Sequence, residues 1–383
     1  MINRKVGVIG GGQLAWMMAQ EAPRLNLDLI VQTPHANDPA IALAQEVILA
    51  AIDDAEATTQ LAQVCDVITF ENEFVNLTAL QTLAEKGVIF RPSLKSLAPL
   101  LDKYEQRTYL KNMGLPVPAF WNYDPAQPLP LDYPFVLKAR RHGYDGQGTY
   151  VVRTAAELAA ISTKIPASGW MIEAFVPFER ELAAIAARNQ AGEIVIYPIV
   201  ETYQENQVCR WVKAPAEIPS LLQLEIEQQI QTLLTELQVI GLFGVEFFLT
   251  SEGQLLINEV APRTHNSGHY SLDACETSQF AMQLQAIMDL PLGSPRLKCQ
   301  QAVMVNLLGY EVTESDYAQQ RARLADLPST YVHWYQKQEA RPGRKLGHVT
   351  VLLDGDRPSL SKKVTQVIEQ INAIWYPSWY FSA

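Results

Sequence analysis

The stretch "GVEFFLTSEGQLLINEV", Gly244–Val260, decides how this chain is read. Two apolar runs flank the turn-forming "SEG", so the segment predicts a β-hairpin. A two-residue turn at Glu252-Gly253 sets Glu246 directly opposite Glu259, whereas a three-residue turn sets Asn258 there instead. Like charges facing across a ladder destabilise a sheet. Either register gathers hard oxygen ligands among apolar neighbours, a donor set that suits magnesium shared with substrate phosphates. The competing reading turns one acid to solvent, since successive strand residues alternate faces.

The second strand runs on into "NEVAPRTHNSGHYS", Asn258–Ser271, which holds two of the chain's six histidines, His265 and His269. On a helix their spacing would make a zinc pair, but Asn266, Ser267 and Gly268 are poor helix formers and no third ligand is evident. The composition instead predicts a substrate-binding and proton-handling loop. Arg263, His265, Asn266 and Ser267 are its candidates, and His269 reads as structural.

Two glycine loops lie upstream. "RRHGYDGQGTY" sits between two strands, where Gly143, Gly146 and Gly148 let the backbone approach an anion closely. Lys138, at the end of the preceding strand, is placed to reach phosphate as a point charge. There is no G-x-x-x-x-G-K-[ST], so this is no Walker-type loop. "GGGQLA", Gly10–Ala15, fits a permitted dinucleotide fingerprint at a helix start, where amides can hold phosphate. A nicotinamide site also needs an acid at the end of the second strand. That strand ends "LIVQTP", and the next acid is Asp38, beyond a turn, which disfavours an oxidoreductase.

The first hundred residues alternate strand-like runs ("VGVI", "LDLIV", "DVITF", "GVIF") with helical ones, the pattern of a parallel sheet covered by helices. "SLAPLLDKYEQRTYLKNMG" predicts one long helix stopping at Gly114. A proline-rich stretch, Pro116 to Pro134, excludes helix and central strand and opens a second domain. Strands "PFVLKA", "GTYVV", "WMIEAFV" and "ELAAIAAR" follow, then a helix, the hairpin and another helix. The part beyond about Gln300 is small and mixed. The expected division is 1–99, 100–295 with a lid at about 115–176, and 296–383.

Hydrophobic content of 48% with 19% charged residues is that of a soluble globular chain. A net charge of −11 argues against a nucleic-acid surface. The basic clusters "KARRH" (Lys138–His142) and "RPGRK" (Arg341–Lys345) therefore suit a small phosphorylated ligand better than a polymer. Four scattered cysteines without paired spacing, no signal-peptide pattern and no apolar span predict a cytoplasmic protein without membrane contact.

The lysine before a glycine-rich strand loop and the Glu…Asn-Glu hairpin resemble the ATP-grasp ligases. Within them, "GGGQL", "KARRHGYDGQG", "NEVAPRTHNSGH" and "RPGRKLGHV" are similar, in order and over nearly the whole chain, to the N5-carboxyaminoimidazole ribonucleotide synthetase family. The resemblance implies an α/β and α+β multidomain chain: an ATP-grasp fold, an N-terminal Rossmann-like parallel-sheet domain and a small C-terminal domain. It further implies a homodimer that carboxylates aminoimidazole ribonucleotide with ATP and bicarbonate through carboxyphosphate, using Mg2+, with Mn2+ as a substitute. Lys103 and Lys138 would contact phosphates, and the loop Gly143, Tyr144, Asp145, Gly146, Gln147, Gly148 and Thr149 would cover them. Glu173, Ala174, Phe175 and Val176 would form the adenine hinge and Glu181 would accept the ribose hydroxyls. Glu246 and Glu259, with Asn258, would hold the metal. Arg263, His265 and Lys337 would be catalytic, and Glu73, Asn266, Ser267, Arg344 and Lys345 would bind the ribonucleotide.

The chain departs from the family at Ala15-Trp16, which replace Gly-Arg, and around Glu71 and Glu73, whose neighbours are shuffled. Formate-dependent glycinamide ribonucleotide transformylase and biotin carboxylase would share the ATP site but not the "RPGRKLGH" ending.

Overall fold

The computed structural model describes residues 3–141, 143 and 148–381, so the loop candidates Tyr144, Asp145, Gly146 and Gln147 lie outside the described residues. The N-terminal alternation folds as expected. Strands β1 (Arg4–Ile9), β2 (Leu27–Thr33), β3 (Glu46–Leu49) and β4 (Val67–Phe70) pair in parallel in the order β3-β2-β1-β4. Helices α1 (Gln13–Glu21), α2 (Ala55–Val64) and α3 (Leu77–Glu85) separate or follow them. β3 escapes the sequence reading because this edge strand buries neither end of "EVIL". "GVIF", expected as a strand, is reduced to one bridge between Ile68 and Phe90. Pro92 follows closely and has no N–H to extend the ladder.

The long helix expected over "SLAPLLDKYEQRTYLKNMG" is broken. It forms α4 (Leu94–Leu97), a 3₁₀ turn over Ala98–Leu100, and α5 (Lys103–Asn112). Pro99 sits in the turn, and Asp102 restarts the helix by accepting the Tyr104 and Glu105 N–H groups at 2.9 and 3.3 Å. Gly114, at φ 76°, takes the left-handed exit expected of a stop.

A four-stranded antiparallel sheet follows: β5 (Phe120–Asn122), β6 (Phe135–Ala139), β7 (Thr149–Val152) and β8 (Trp170–Ala174), in the order β5-β8-β6-β7, with α6 (Ala155–Ser162) after β7. The proline-rich segment supplies only β5, at its edge.

The third sheet has nine strands. They are β9 (Phe178–Arg188), β10 (Ile194–Ile196), β11 (Val200–Glu205), β12 (Val208–Ala214), β13 (Gly241–Thr250), β14 (Leu255–Ala261), β15 (Gln301–Leu308), β16 (Thr330–Trp334) and β17 (Lys345–Leu353). Their order is β14-β13-β9-β11-β12-β15-β17-β16, with β10 beside β9. The C-terminal strands thus extend the same sheet through the β12–β15 pairing. Helix α7 (Ser220–Glu236) packs on the face carrying Ala184, Ala186, Phe243 and Val245. Helices α8 (Ser271–Ala274) and α9 (Gln279–Ile287) pack on the face carrying Ala183, Ile185 and Leu242. Helices α10 (Ala318–Ala325) and α11 (Arg357–Trp375) cover the C-terminal strands. Among the described residues, no helix is long and apolar enough to cross a membrane.

Candidate active site

The hairpin settles into a register that neither simple turn produces. The turn is the three-residue form: Thr250 N–H reaches Gln254 O at 3.0 Å and Gly253 takes φ 82°. Phe247 consequently pairs with Ile257, and Asn258 should face Glu246. A bulge intervenes between Glu246 and Phe247, so Glu246 pairs with Glu259 after all. In a bulge two residues oppose one. Asn258 and Glu259 thus both reach Glu246's neighbourhood: Asn258 Nδ2 donates to Glu246 Oε2 at 3.3 Å.

Helix α5 holds that bulge from outside. β14 is an edge strand, and its outward backbone groups need partners. Gln106 supplies both for Val260, accepting its N–H at 2.9 Å and donating to its O at 3.0 Å. Arg107, almost fully buried, donates to the Asn258 carbonyl. Lys103 pairs with the Glu259 carboxylate at 2.9 Å. Positions i, i+3 and i+4 share one helix face, so one face of α5 grips the whole Asn258–Val260 segment. Gln106 and Arg107 went unnoticed in the sequence reading, although "KYEQR" carries that spacing.

The charges interlock. Lys138 Nζ lies 2.6 Å from Glu173 Oε2 and donates to Asn258 Oδ1 at 3.3 Å. Arg107 Nε meets the other Glu173 oxygen at 2.5 Å. The carboxylate of Glu173 is therefore a buried counter-ion for Lys138, while β8 ends at Ala174 and the chain runs on through Phe175 and Val176, with Phe175 exposed. Burial raises the Glu173 carboxyl, but Arg107 and Lys138 overcome it and hold it at about 2. Lys138 itself is lowered, by burial first, with Arg107 and Lys103 adding to it against Glu173. The facing acids split: burial and Glu259 push Glu246 up to about 7, while Lys103 and Lys138 overcome burial to hold Glu259 low. Glu181 faces Phe248 across β9–β13, two positions from the Ala183–Glu246 pair and so on the same sheet face. Burial, then Glu246, pushes it up to about 8. Gly148 O accepts the Ala139 N–H at 2.7 Å, Thr149 pairs with Lys138 across β6–β7, and Gly143 lies in the loop between these strands.

His265 closes the other side of Glu246, its Nε2 3.6 Å from Glu246 Oε1. Its Nδ1 accepts the Ser267 N–H at 3.4 Å and meets Ser267 Oγ at 2.8 Å. A backbone N–H can only donate, so the neutral ring carries its proton on Nε2, facing Glu246. Gly244 makes this approach feasible, since a Cβ there would lie 2.5 Å from the Cβ of His265. Asn266 is engaged elsewhere, in a reciprocal amide pair with Asn306 at 3.0 and 2.8 Å. His269 is buried and structural as expected; burial keeps it neutral, well below its usual pKa.

Arg263 Nε lies 2.9 Å from Glu73 Oε1, and Lys337 Nζ donates to Lys345 O at 2.8 Å. Arg344 donates to Glu339 O at 2.6 Å. Lys345 is buried near enough to stabilise the Glu246 carboxylate. The N-terminal glycine loop receives an internal anion: Glu71 Oε1 accepts the Leu14 N–H at 3.3 Å, and a Cβ at Gly10 would lie 2.7 Å from that carboxylate. Burial raises Glu71 despite nearby Arg263. Asp38 turns back onto the Thr33 hydroxyl at the end of β2.

Behind the loop, Asp273, His333 and His348 bring ligand-type atoms within 4.8 Å of one another. The two histidine rings stack with planes 16° apart, so their in-plane lone pairs lie in separate, nearly parallel planes, a poor arrangement for sharing one ion. His333 Nε2 bonds Asp273 at 2.9 Å and His348 Nδ1 bonds the Tyr335 hydroxyl at 2.7 Å. The cluster forms the floor of the loop.

Comparison with known proteins covers nearly the whole chain. Residues 3–99 match the ribonucleotide synthetase preATP-grasp domain, 108–280 the ATP-grasp domain, and 302–362 the phosphoribosylaminoimidazole carboxylase C-terminal domain. The N5-carboxyaminoimidazole ribonucleotide synthase of Synechocystis sp. is 58% identical, covering 97% of this chain and 98% of its own. Among solved structures, the Aspergillus clavatus carboxyaminoimidazole ribonucleotide synthase complexed with ATP superposes with a TM-score of 0.88 at 31% identity, covering 96% of this chain and 99% of that one. The enzyme from the same organism in complex with ADP and 5-aminoimidazole ribonucleotide gives 0.86 at 30% identity, covering 97% and 99%.

Proposed function

This chain belongs to the N5-carboxyaminoimidazole ribonucleotide synthase family of ATP-grasp ligases, and from that premise we propose how its own residues divide the reaction. It is an ATP-dependent ligase of purine biosynthesis, acting on aminoimidazole ribonucleotide. Bicarbonate is the one-carbon donor in this reading. A γ-phosphoryl group passes to a bicarbonate oxygen, ADP leaves, and carboxyphosphate results. The ribonucleotide amine then attacks its carbon, the carbon–oxygen bond to phosphate breaks, and the amine's proton passes to the departing phosphate.

One observation carries this reading: the Glu246 carboxylate stands between the two halves of the chemistry. One oxygen takes the Asn258 amide at 3.3 Å, on the side of Lys138 and Glu259. The other lies 3.6 Å from His265 Nε2, on the loop side. The donor set Glu246, Glu259 and Asn258 is all hard oxygen, and burial first, then the facing Glu259, raises the Glu246 carboxyl, a cost that a divalent cation relieves, so Mg2+ fits here. When bound, it would neutralise charge on the transferring phosphoryl group. Lys103 and Lys138 would bind phosphates, the segment Ala174–Val176 adenine, and Glu181 the ribose. Arg263 would anchor the carboxylate of carboxyphosphate. With its proton on Nε2, His265 donates to a carboxyphosphate oxygen, which assigns it a donor's part rather than a base's. Glu73, Lys337, Arg344 and Lys345 would hold the ribonucleotide.

The division 1–99, 100–295 and 296–383, a homodimer and a cytoplasmic setting belong to the same proposal. Four free thiols support the last. The match to the carboxylase C-terminal domain disfavours the transformylase and biotin carboxylase alternatives.

With oxygen-labelled bicarbonate, one labelled oxygen is expected in the released phosphate, and ADP formation should require bicarbonate. Unlabelled phosphate, with the label retained in bicarbonate, would remove the carboxyphosphate route.

A further inference from the structure

The loop that carries His265 is held by a residue no motif singled out. Gln279, the first residue of α9, is fully buried. Its Oε1 accepts the His265 N–H at 2.9 Å, and its Nε2 donates to the His265 carbonyl at 2.8 Å. A single primary amide thus mimics a strand partner for one residue. The remaining Nε2 hydrogen goes to His269 Nδ1 at 2.9 Å. The Gln279 backbone is fixed in turn, its N–H donating to Ser271 Oγ at 2.9 Å while Ser271 Oγ donates to Gly268 O at 2.6 Å. Space is equally constrained: a Cβ at Gly268 would lie 2.6 Å from Gln279 Oε1.

These bonds decide where the imidazole points. The His265 backbone is pinned by Gln279, the ring's Nδ1 by Ser267, and the Cβ by Gly244, which leaves Nε2 one direction, toward Glu246. The His265 N–H depends on that one side chain, whereas its carbonyl also accepts the Gly268 N–H at 3.0 Å. Removing that side chain takes away the partner of the N–H and leaves the carbonyl with the Gly268 N–H alone, which frees the loop to shift.

We propose that Gln279 is a positioning residue that aims His265, so that the ribonucleotide amine and not water takes the carbon activated by ATP. The proposal rests on the role given above to His265. Phosphoryl transfer uses Lys103, Lys138 and the carboxylates, none of which Gln279 touches, so its loss separates ADP formation from carboxylation. A misplacement on the order of 1 Å at a reacting group costs about 100-fold, so even partial slackening should show.

The test compares Gln279→Met, which keeps the length and bulk but none of the three hydrogen bonds, with wild type and His265→Asn. The readouts are ADP formed per carboxylated product and the KM for ATP. In Gln279→Met, ADP per product is expected to rise about tenfold, with the ATP KM changed by less than about twofold. A side chain that only fills space would leave the ratio at its wild-type value, and that result overturns the proposal. If Gln279→Met does not fold, Gly268→Ala presses on the amide without removing it, and the same ratio decides. If His265→Asn uncouples while the Gln279 and Gly268 variants do not, the positioning role fails and the role of His265 stands. If His265→Asn also stays coupled, both fail.

Discussion

Glu246→Gln should stabilise the protein in the absence of magnesium, and the effect should depend on pH in a defined direction. Burial and the facing Glu259 raise the Glu246 carboxyl from 4.5 to about 7. A group with a raised folded-state pKa that is neutral when protonated favours the fold below its unfolded value. Its penalty grows as pH climbs from 4.5 and is complete above 7. At about 1.4 kcal/mol per pH unit, that penalty is about 3 kcal/mol. Replacing the carboxylate weakens the bond from Asn258 Nδ2, worth about 1 kcal/mol, and the side chain keeps 19% of its exposure. The expected net gain is thus about 1–2 kcal/mol at pH 8, shrinking to nothing near pH 4.5. Chemical denaturation in chelator at pH 8 and pH 5 measures it. A variant less stable than wild type at pH 8, or a gain equal at both pH values, would refute the reasoning. Glu259→Gln should go the other way: Lys103 holds that carboxylate low, so stability present above 4.5 is lost as pH falls toward 2. Glu259 is 44% exposed, and screening brings the cost to about 1 kcal/mol. The facing geometry thus holds, but its strain lies on one partner only.

Lys138→Met should abolish nearly all ADP formation, and it should also destabilise the metal-free protein. It leaves the buried Glu173 with Arg107 alone, at a cost of about 2 kcal/mol, below the 3–5 kcal/mol typical of a fully broken buried pair; an unchanged melting curve would show that Glu173 is not its counter-ion. Arg344→Ala should raise the KM for the ribonucleotide at least about tenfold and that for ATP little, as for a lost phosphate contact; equal effects in steady-state kinetics would remove Arg344 from the substrate site.

What the sequence disclosed and what it hid divide along one physical line. Local pattern was enough for the hairpin, because apolar runs around "SEG" leave few alternatives. It was enough too for Gly114 and for the reading of His269 as structural. Pattern failed wherever a distant side chain arbitrates. The turn length alone would have placed Asn258 opposite Glu246; the bulge that restores Glu259 is held by Gln106 and Arg107, about 150 residues upstream. Glu173 reads as part of a hinge because the strand ends one residue later, at Ala174, yet its carboxylate turns inward to two cations from α5 and β6. The glycines of "GGGQLA" have the form of a phosphate loop, and only the fold brings Glu71 from the end of β4 to occupy it.

The same line explains why the loop from Arg263 to Ser267 needs so little sequence of its own. Arg263, His265 and Ser267 lie in a segment with hardly any regular structure, which cannot aim a side chain unaided. Its geometry is imposed by rigid elements on three sides. Gln279 of α9 holds its backbone, Asn306 of β15 and the stacked histidines of β16 and β17 hold its far side, and Gly244 of β13 opens the gap beneath it. The C-terminal strands are continuous with the ATP-grasp sheet, so the surface bearing Lys337, Arg344 and Lys345 is fixed relative to Glu246 and Glu259. Phosphoryl donor and carbon acceptor must meet within a hydrogen bond's length before water intervenes. The nine-stranded sheet carries Glu246, Glu259 and the C-terminal strands together, so those parts need no closure between them, while Lys138 arrives from the four-stranded sheet.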